Sequence, residues 1–421
     1  MTTTATVGRP VTASAEATAV KKGRPTAARV ASATRIASVD VIRGAVVVLM
    51  AIDHVRVYAG VPAGGPDPAV FFTRWITHFC APAFIFLAGT SAFLYARSAG
   101  PVEAGPHRPD VRRFLLTRGV WLILLEMTVL RVAWTFNLDF ARYNMAGVIW
   151  VIGWSMILLA LLVRLPLALV GTFGVLVIAG HNLLDFVDGL VPALGGSSLS
   201  GLWKILYIGF FAGPIAVGGD GPPLWILYSI VPWIGVMAAG YAFGAVLTLD
   251  AARRSRWCLT IGLGSIALFL VLRGLNLYGD PQPWSGSLLS FLNTNKYPAS
   301  LAFLLMTLGP TIALMPAVEG ARGALARWLT VFGRVPFFFY VVHIPLIHAL
   351  AIVVSLARTG AVDPWLFADH PMAPPPPPAG YLWSLPLLYG VWAIAIVLLY
   401  FTSTWFADLK ARRTDWWLRY L

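Results

Sequence analysis

Apolar residues occupy this chain in blocks close to the roughly 20 residues that cross a bilayer as a helix. Short stretches rich in Arg, Gly or Pro separate them. The pattern predicts ten membrane-spanning helices, at 38–60, 72–96, 114–137, 145–163, 166–186, 224–247, 257–276, 298–317, 336–357 and 382–405. A further apolar block, 202–217, is short and contains Lys204, Gly209 and Pro214, so it reads as re-entrant, interfacial or an eleventh span. No internal repeat relates the blocks. The expected fold class is all-α, a polytopic membrane bundle of about ten, or eleven, helices.

Composition agrees. Hydrophobic residues make up 58% of the 421 and charged residues 12%, about half the usual charged share of a soluble domain. The net charge of +13 would point to nucleic acid in a soluble protein. Here no basic run interleaves with aromatics in a polar domain, so nucleic acid is not an expected partner. The positions of the basic residues carry the information, because they mark cytoplasmic loops. The N-terminal tail, the Arg97–Arg113 loop, Arg253/Arg254/Arg256, Arg322/Arg327/Arg334 and the C-terminal Lys410–Arg419 segment all fall on one side. That arrangement predicts a bacterial cytoplasmic-membrane protein with both termini inside. Residues 1–36 are expected to be a disordered tail and 37–421 one transmembrane domain. Pro374–Pro378 is expected to be a stiff polyproline spacer on the outer face, the tryptophans to form interfacial belts, and Gly235, Ala239 and Gly240 to permit close helix packing. Cys80 and Cys258 fall in separate spans with no disulfide pattern.

The first span, SVDVIRGAVVVLMAIDHVRVY, carries Asp40, Arg43, Asp53, His54 and Arg56. Ionisable groups within lipid are costly and are functional candidates by default. Arg43 and His54 lie within about 20° of each other around the helix and about 16 Å apart along it, with Asp40 about 40° away. His54 is a candidate general base, since neutral imidazole accepts a proton near pH 7; the bland alternative is a histidine bonded to a backbone carbonyl. Asp53 points about 100° from His54, so any partner of His54 belongs to another helix. Arg43 is a candidate anion contact or a snorkelling helix-end residue. His78 and Arg74 share a stripe of the second span beside Pro82, which should kink it; His78 is as readily structural as catalytic. Glu126 and Arg131 are about 140° apart and should pair with other helices. In the ninth span, Tyr340 and His343 share a face. His343 and His348 do not, and no set with zinc spacing occurs, so no metal is expected. No nucleotide loop of Walker or Rossmann type is present.

Ser38–Asp40, Ile42–Arg43–Gly44 and Met50, with Pro82 and Phe84–Gly89, resemble the heparan-α-glucosaminide N-acetyltransferase catalytic-domain family. Longer stretches, TRWITHFCAPAFIFLAGTSAFLY, YSIVPWIGVMAAGYAFG, KYPASLAFLLMTLGP and GRVPFFFYVVHIPLIH, look like an uncharacterised bacterial branch of it. The Arg43–Gly44 to His54 spacing is also similar to that of the membrane acyltransferase-3 group. The resemblance implies an acyl-CoA-dependent membrane acyltransferase. It would move an acyl, chiefly acetyl, group from cytoplasmic acyl-CoA to a carbohydrate or other small acceptor at the outer side. By this likeness His54 is the catalytic histidine and His78 the second choice. Arg43, Asp40, Arg334 and His343 become candidate substrate or CoA contacts, with Asp53, Arg74, Glu126, Arg131 and Tyr340 in support. One departure is visible. The animal enzymes place their proposed histidine in the loop after the first span, and here that loop, AGVPAGGPDPAV, has none. Membrane lipid is the other expected partner, and a homodimer is left open. The alternative reading is a proton-coupled transporter or flippase.

Overall fold

The computed structural model describes residues 1–4, 36–97, 110–187, 199–218, 220–368, 375–413 and 415–420. The chain divides into two units, Met1–Arg35 and Ile36–Leu421. The expected disordered tail lies almost wholly outside the described residues. The second unit is helical nearly throughout, and seven of its helices are long and apolar enough to cross a membrane. The chain is a multi-pass membrane protein of the all-α class.

Thirteen helices are described. α1 is Ala37–Tyr58 and α2 is Pro68–Arg97. α3 runs as three joined segments, Val111–Leu125, Glu126–Leu130 and Arg131–Thr135. α4 is Val148–Leu162, α5 Leu167–Val187 and α6 Leu199–Ala212. α7 is Ile230–Thr248, α8 Ala251–Gly274 and α9 Leu288–Leu292. α10 is Leu301–Glu319, α11 Ala324–Arg334, α12 Pro336–Thr359 and α13 Leu385–Arg412. Each of the ten predicted blocks therefore has its helix. Starts are fixed locally: the Asp67 carboxylate accepts from the Ala69 and Val70 amides with Pro68 leading α2, Asp110 does the same for α3, and Ser300 caps α10. Block 202–217 is not one helix. It is helical to Ala212, about 21 Å for the 14 residues of α6, and then turns into a strand at Ile215–Ala216.

Burial orders the helices. The most apolar windows of α7 and α10 are 72% and 67% buried, against 22% for α5 and α8, so the former are central and the latter face outward. Small residues make the central contacts possible. A Cβ at Gly89 of α2 would stand 2.1 Å from the Met237 carbonyl oxygen, and one at Gly240 of α7 would stand 2.1 Å from that of Phe86. The N-terminal half of α1 packs most closely on α11. There Gly44 faces the Leu329 carbonyl and Gly333 faces that of Asp40, each too close for any side chain. α1 also touches α2, α10, α12 and α13, so a helix with four charged residues and a histidine is among the most enclosed.

A three-stranded sheet, order β1-β3-β2, was not expected. β1 (Asn144–Ala146) pairs parallel with β3 (Pro223–Ile226), and β2 (Ile215–Ala216) pairs antiparallel with β3. Its cause is the backbone rule of low-dielectric surroundings: non-helical segments packed against a bundle must pair their N–H and C=O groups. Leu227 N–H continues the ladder to the Ala146 carbonyl at 3.0 Å. Beyond the Tyr58 end of α1, Pro375 and Pro378 accept from Trp365 Nε1 and Tyr381 N, and Tyr381 Oη donates to the Tyr58 carbonyl. The described part of the proline run thus packs over the helix end.

Candidate active site

His54 lies about four-fifths of the way along α1, and its ring meets His343 of α12. Nδ1 of His54 and Nε2 of His343 are 2.5 Å apart, with the rings stacked at 4.8 Å. His343 is fully buried. Its Nδ1 lies 2.6 Å from the Tyr340 carbonyl oxygen and 3.1 Å from that of Phe339. A carbonyl oxygen only accepts, so His343 Nδ1 carries the proton and Nε2 of the neutral ring carries a lone pair. His54 Nδ1–H must then donate to it. The neutral tautomer of His54 follows from these bonds: its Nε2 holds the lone pair. Trp134 meets the His54 ring edge-on at 5.0 Å and Tyr340 at 6.4 Å.

His54 borders a small cavity of about 60 Å³. Each wall arises from a local irregularity. On α2, the turn preceding Pro82 tightens into a 3-10 segment, Ile76–Phe79, and Thr77, Cys80 and Phe84 face the space. On α3, the chain widens into a π segment at Glu126–Leu130, a device common at functional sites. It turns Glu126 inward, where Oε2 accepts the Ile149 amide at 3.1 Å at the start of α4. The strand ends bring Met145, Gly147 and Tyr228, and the loop before α10 brings Lys296 and Tyr297.

Asp53 also lines the cavity, but its carboxylate is held by Arg56 Nε at 2.7 Å, and Arg56 Nη1 donates to the Val61 carbonyl at 2.6 Å. The partner of His54 is thus on another helix, as the helix geometry requires, and the partner of Asp53 is one turn along its own.

The other candidates fall elsewhere. Arg43 donates to the Leu87 carbonyl at 3.1 Å and to Ser91 Oγ, with Asp40 at 4.0 Å, and so ties α1 to α2. His78 is buried beside Phe303 and does not border the cavity; neither ring nitrogen has a hydrogen-bond partner. Arg74 Nη1 donates to the Ala63 carbonyl at 3.0 Å. Arg131 holds the 137–143 loop through Tyr143 O, the Asn137 side chain and the ring of Phe140. Arg334 is exposed in a groove of about 1140 Å³ with Arg322 and Arg327, at the Ala37 end of α1. Among the described residues no group of three or more His, Cys, Asp or Glu side chains is placed to hold a metal. The residues that sequence reasoning overlooked are Lys296, Tyr228 and Tyr297. One signal was available for Lys296: a lone lysine in a loop on the side counted as poor in positive charge.

The chain matches the family described as heparan-α-glucosaminide N-acetyltransferase, catalytic, over residues 35–278. It belongs to that family. No curated protein matches it. The family match takes in α1 to α8 with His54, Asp53 and Glu126, while His343 and Lys296 lie beyond its end. Family membership and the apolar helices together place the chain in a coarse class, the membrane N-acetyltransferases.

Proposed function

We propose that the chain transfers an acetyl group from acetyl-CoA to an amine or hydroxyl of a carbohydrate or other small acceptor, with His54 as general base. The observation that supports this reading is the His54–His343 pair, in which His54 Nδ1 is bonded to a second histidine and the His54 ring lines a cavity in the bundle. As the acceptor attacks, its proton passes to His54 Nε2. The charge that forms on His54 is delocalised over a ring already hydrogen-bonded to His343. Donor entry is from the cytoplasmic side, at the Ala37 end of α1. The groove carrying Arg322, Arg327 and Arg334 suits the phosphates of CoA. The roughly 16 Å from Arg43 to His54 along α1 is of the order of the pantetheine arm. The catalytic unit is 37–421, in a bacterial cytoplasmic membrane with both termini inside.

The test is reconstitution. Proteoliposomes loaded with acetyl-labelled acetyl-CoA and exposed to amino sugars and their hydroxyl analogues should release free CoA and label an acceptor. A proton-coupled transporter would instead move unmodified substrate in proportion to the proton gradient and release no CoA.

A further inference from the structure

Lys296 is 93% removed from solvent, at 7% exposure, yet it borders the cavity shared by His54 and Asp53. Among the described residues no carboxylate comes within 4.0 Å of it. Asp53, one acidic group on the same cavity, is in contact with Arg56 at 2.7 Å and acts on Lys296 only through space. Glu126, the other, is turned to the start of α4. The ammonium lies 5.2 Å from the Tyr297 ring centroid, which orients a cation without cancelling its charge. A buried cation with no carboxylate in contact is costly, and a hydrogen-bonded scaffold holds its loop in place. Arg273 donates to the carbonyls of Gln282, Ser290, Phe291 and Asn293 and sits 3.5 Å from Asp280. Asp280 in turn accepts from Asn295 N and Ser300 Oγ, both at 2.9 Å, on either side of Lys296.

We propose that Lys296 is a catalytic residue that holds the thioester carbonyl oxygen of the donor as it becomes an oxyanion. The inference rests on the acetyltransferase reading above. The acceptor nitrogen or oxygen bonds to the carbonyl carbon while its proton goes to His54 Nε2. The carbonyl π pair moves onto oxygen, where the Lys296 ammonium meets it. The pair then returns, the carbon–sulfur bond breaks, and the CoA thiolate leaves and takes the proton from His54. A fixed cation aimed at charge that develops only in the transition state lowers the barrier without tightening ground-state binding.

The experiment measures CoA release from acetyl-CoA by the full chain in proteoliposomes with glucosamine present, for wild type, Lys296→Met, Lys296→Arg and His54→Ala. Removal of the ammonium should lower kcat by about 100-fold or more, the scale of losing one oxyanion donor. KM for acetyl-CoA should stay within about threefold, and Lys296→Arg should recover at least about tenfold over Lys296→Met. Lys296→Gln replaces the Met variant if that one fails to fold. A neutral variant that keeps kcat within about threefold, or that acts through KM alone, overturns the proposal. If such a variant is active while His54→Ala is not, the oxyanion role falls and the general-base reading stands. If wild type releases no CoA above empty liposomes, both fall.

Discussion

Replacing His343 by alanine tests the tautomer argument without touching the group that would contact substrate. The acceptor for His54 Nδ1–H disappears, and the donor is left facing the fully buried place of the lost ring, beside Trp134 and Tyr340. An unsatisfied buried donor costs about 1–3 kcal/mol. That cost grows as His54 takes the proton, because imidazolium donates more strongly than neutral imidazole. If all of it appears in the transition state, acetyl transfer falls about 5- to 150-fold, since 1.36 kcal/mol is one decade. His343→Gln supplies an amide oxygen able to accept the same bond and should lose less. The assay is CoA release in proteoliposomes, with thermal unfolding in detergent to register the cavity left by the ring. A His343→Ala protein within about threefold of wild type in kcat would refute the argument that His343 fixes His54.

Two further outcomes follow from packing and hydrogen bonding. Gly240→Val should lower unfolding temperature and membrane yield, because even a Cβ meets the Phe86 carbonyl at 2.1 Å; overpacking of this kind costs about 1–3 kcal/mol, and unchanged stability would remove the α2–α7 contact from the account. Glu126→Ala should destabilise by about 1–3 kcal/mol through the orphaned Ile149 amide, whereas Glu126→Gln, which keeps an acceptor oxygen, should be near wild type by the same melting measurement.

The bundle was legible because hydrophobic block length is a strong signal, and each predicted block has a helix. Block 202–217 differed because of its glycines: Gly209 takes positive φ inside α6, between a π and a 3-10 segment, and Gly213 takes positive φ just past its end, in time for β2 to pair. The charges of α1 marked the site's helix, and helix geometry alone directed His54 to a partner elsewhere. It did not identify His343, since two helices 289 residues apart in sequence leave no periodic trace of facing each other. Arg43 shows the limit of a shared stripe: its angle matches that of His54, but Leu87 and Ser91 take up its guanidinium on the way. Lys296 escaped notice because its one signal, a lysine on the side poor in positive charge, does not say which way it faces; the loop's path is set by the Arg273–Asp280 network, which a sequence does not display.

The central claim is that His54 accepts the acceptor's proton during acetyl transfer. The direct measurement is the single-turnover rate of CoA release from labelled acetyl-CoA by wild type and His54→Ala in the same proteoliposomes. The expected result is a fall of about 100-fold or more, the least that general-base catalysis contributes, with folding unchanged. A His54→Ala rate within about threefold of wild type would contradict it.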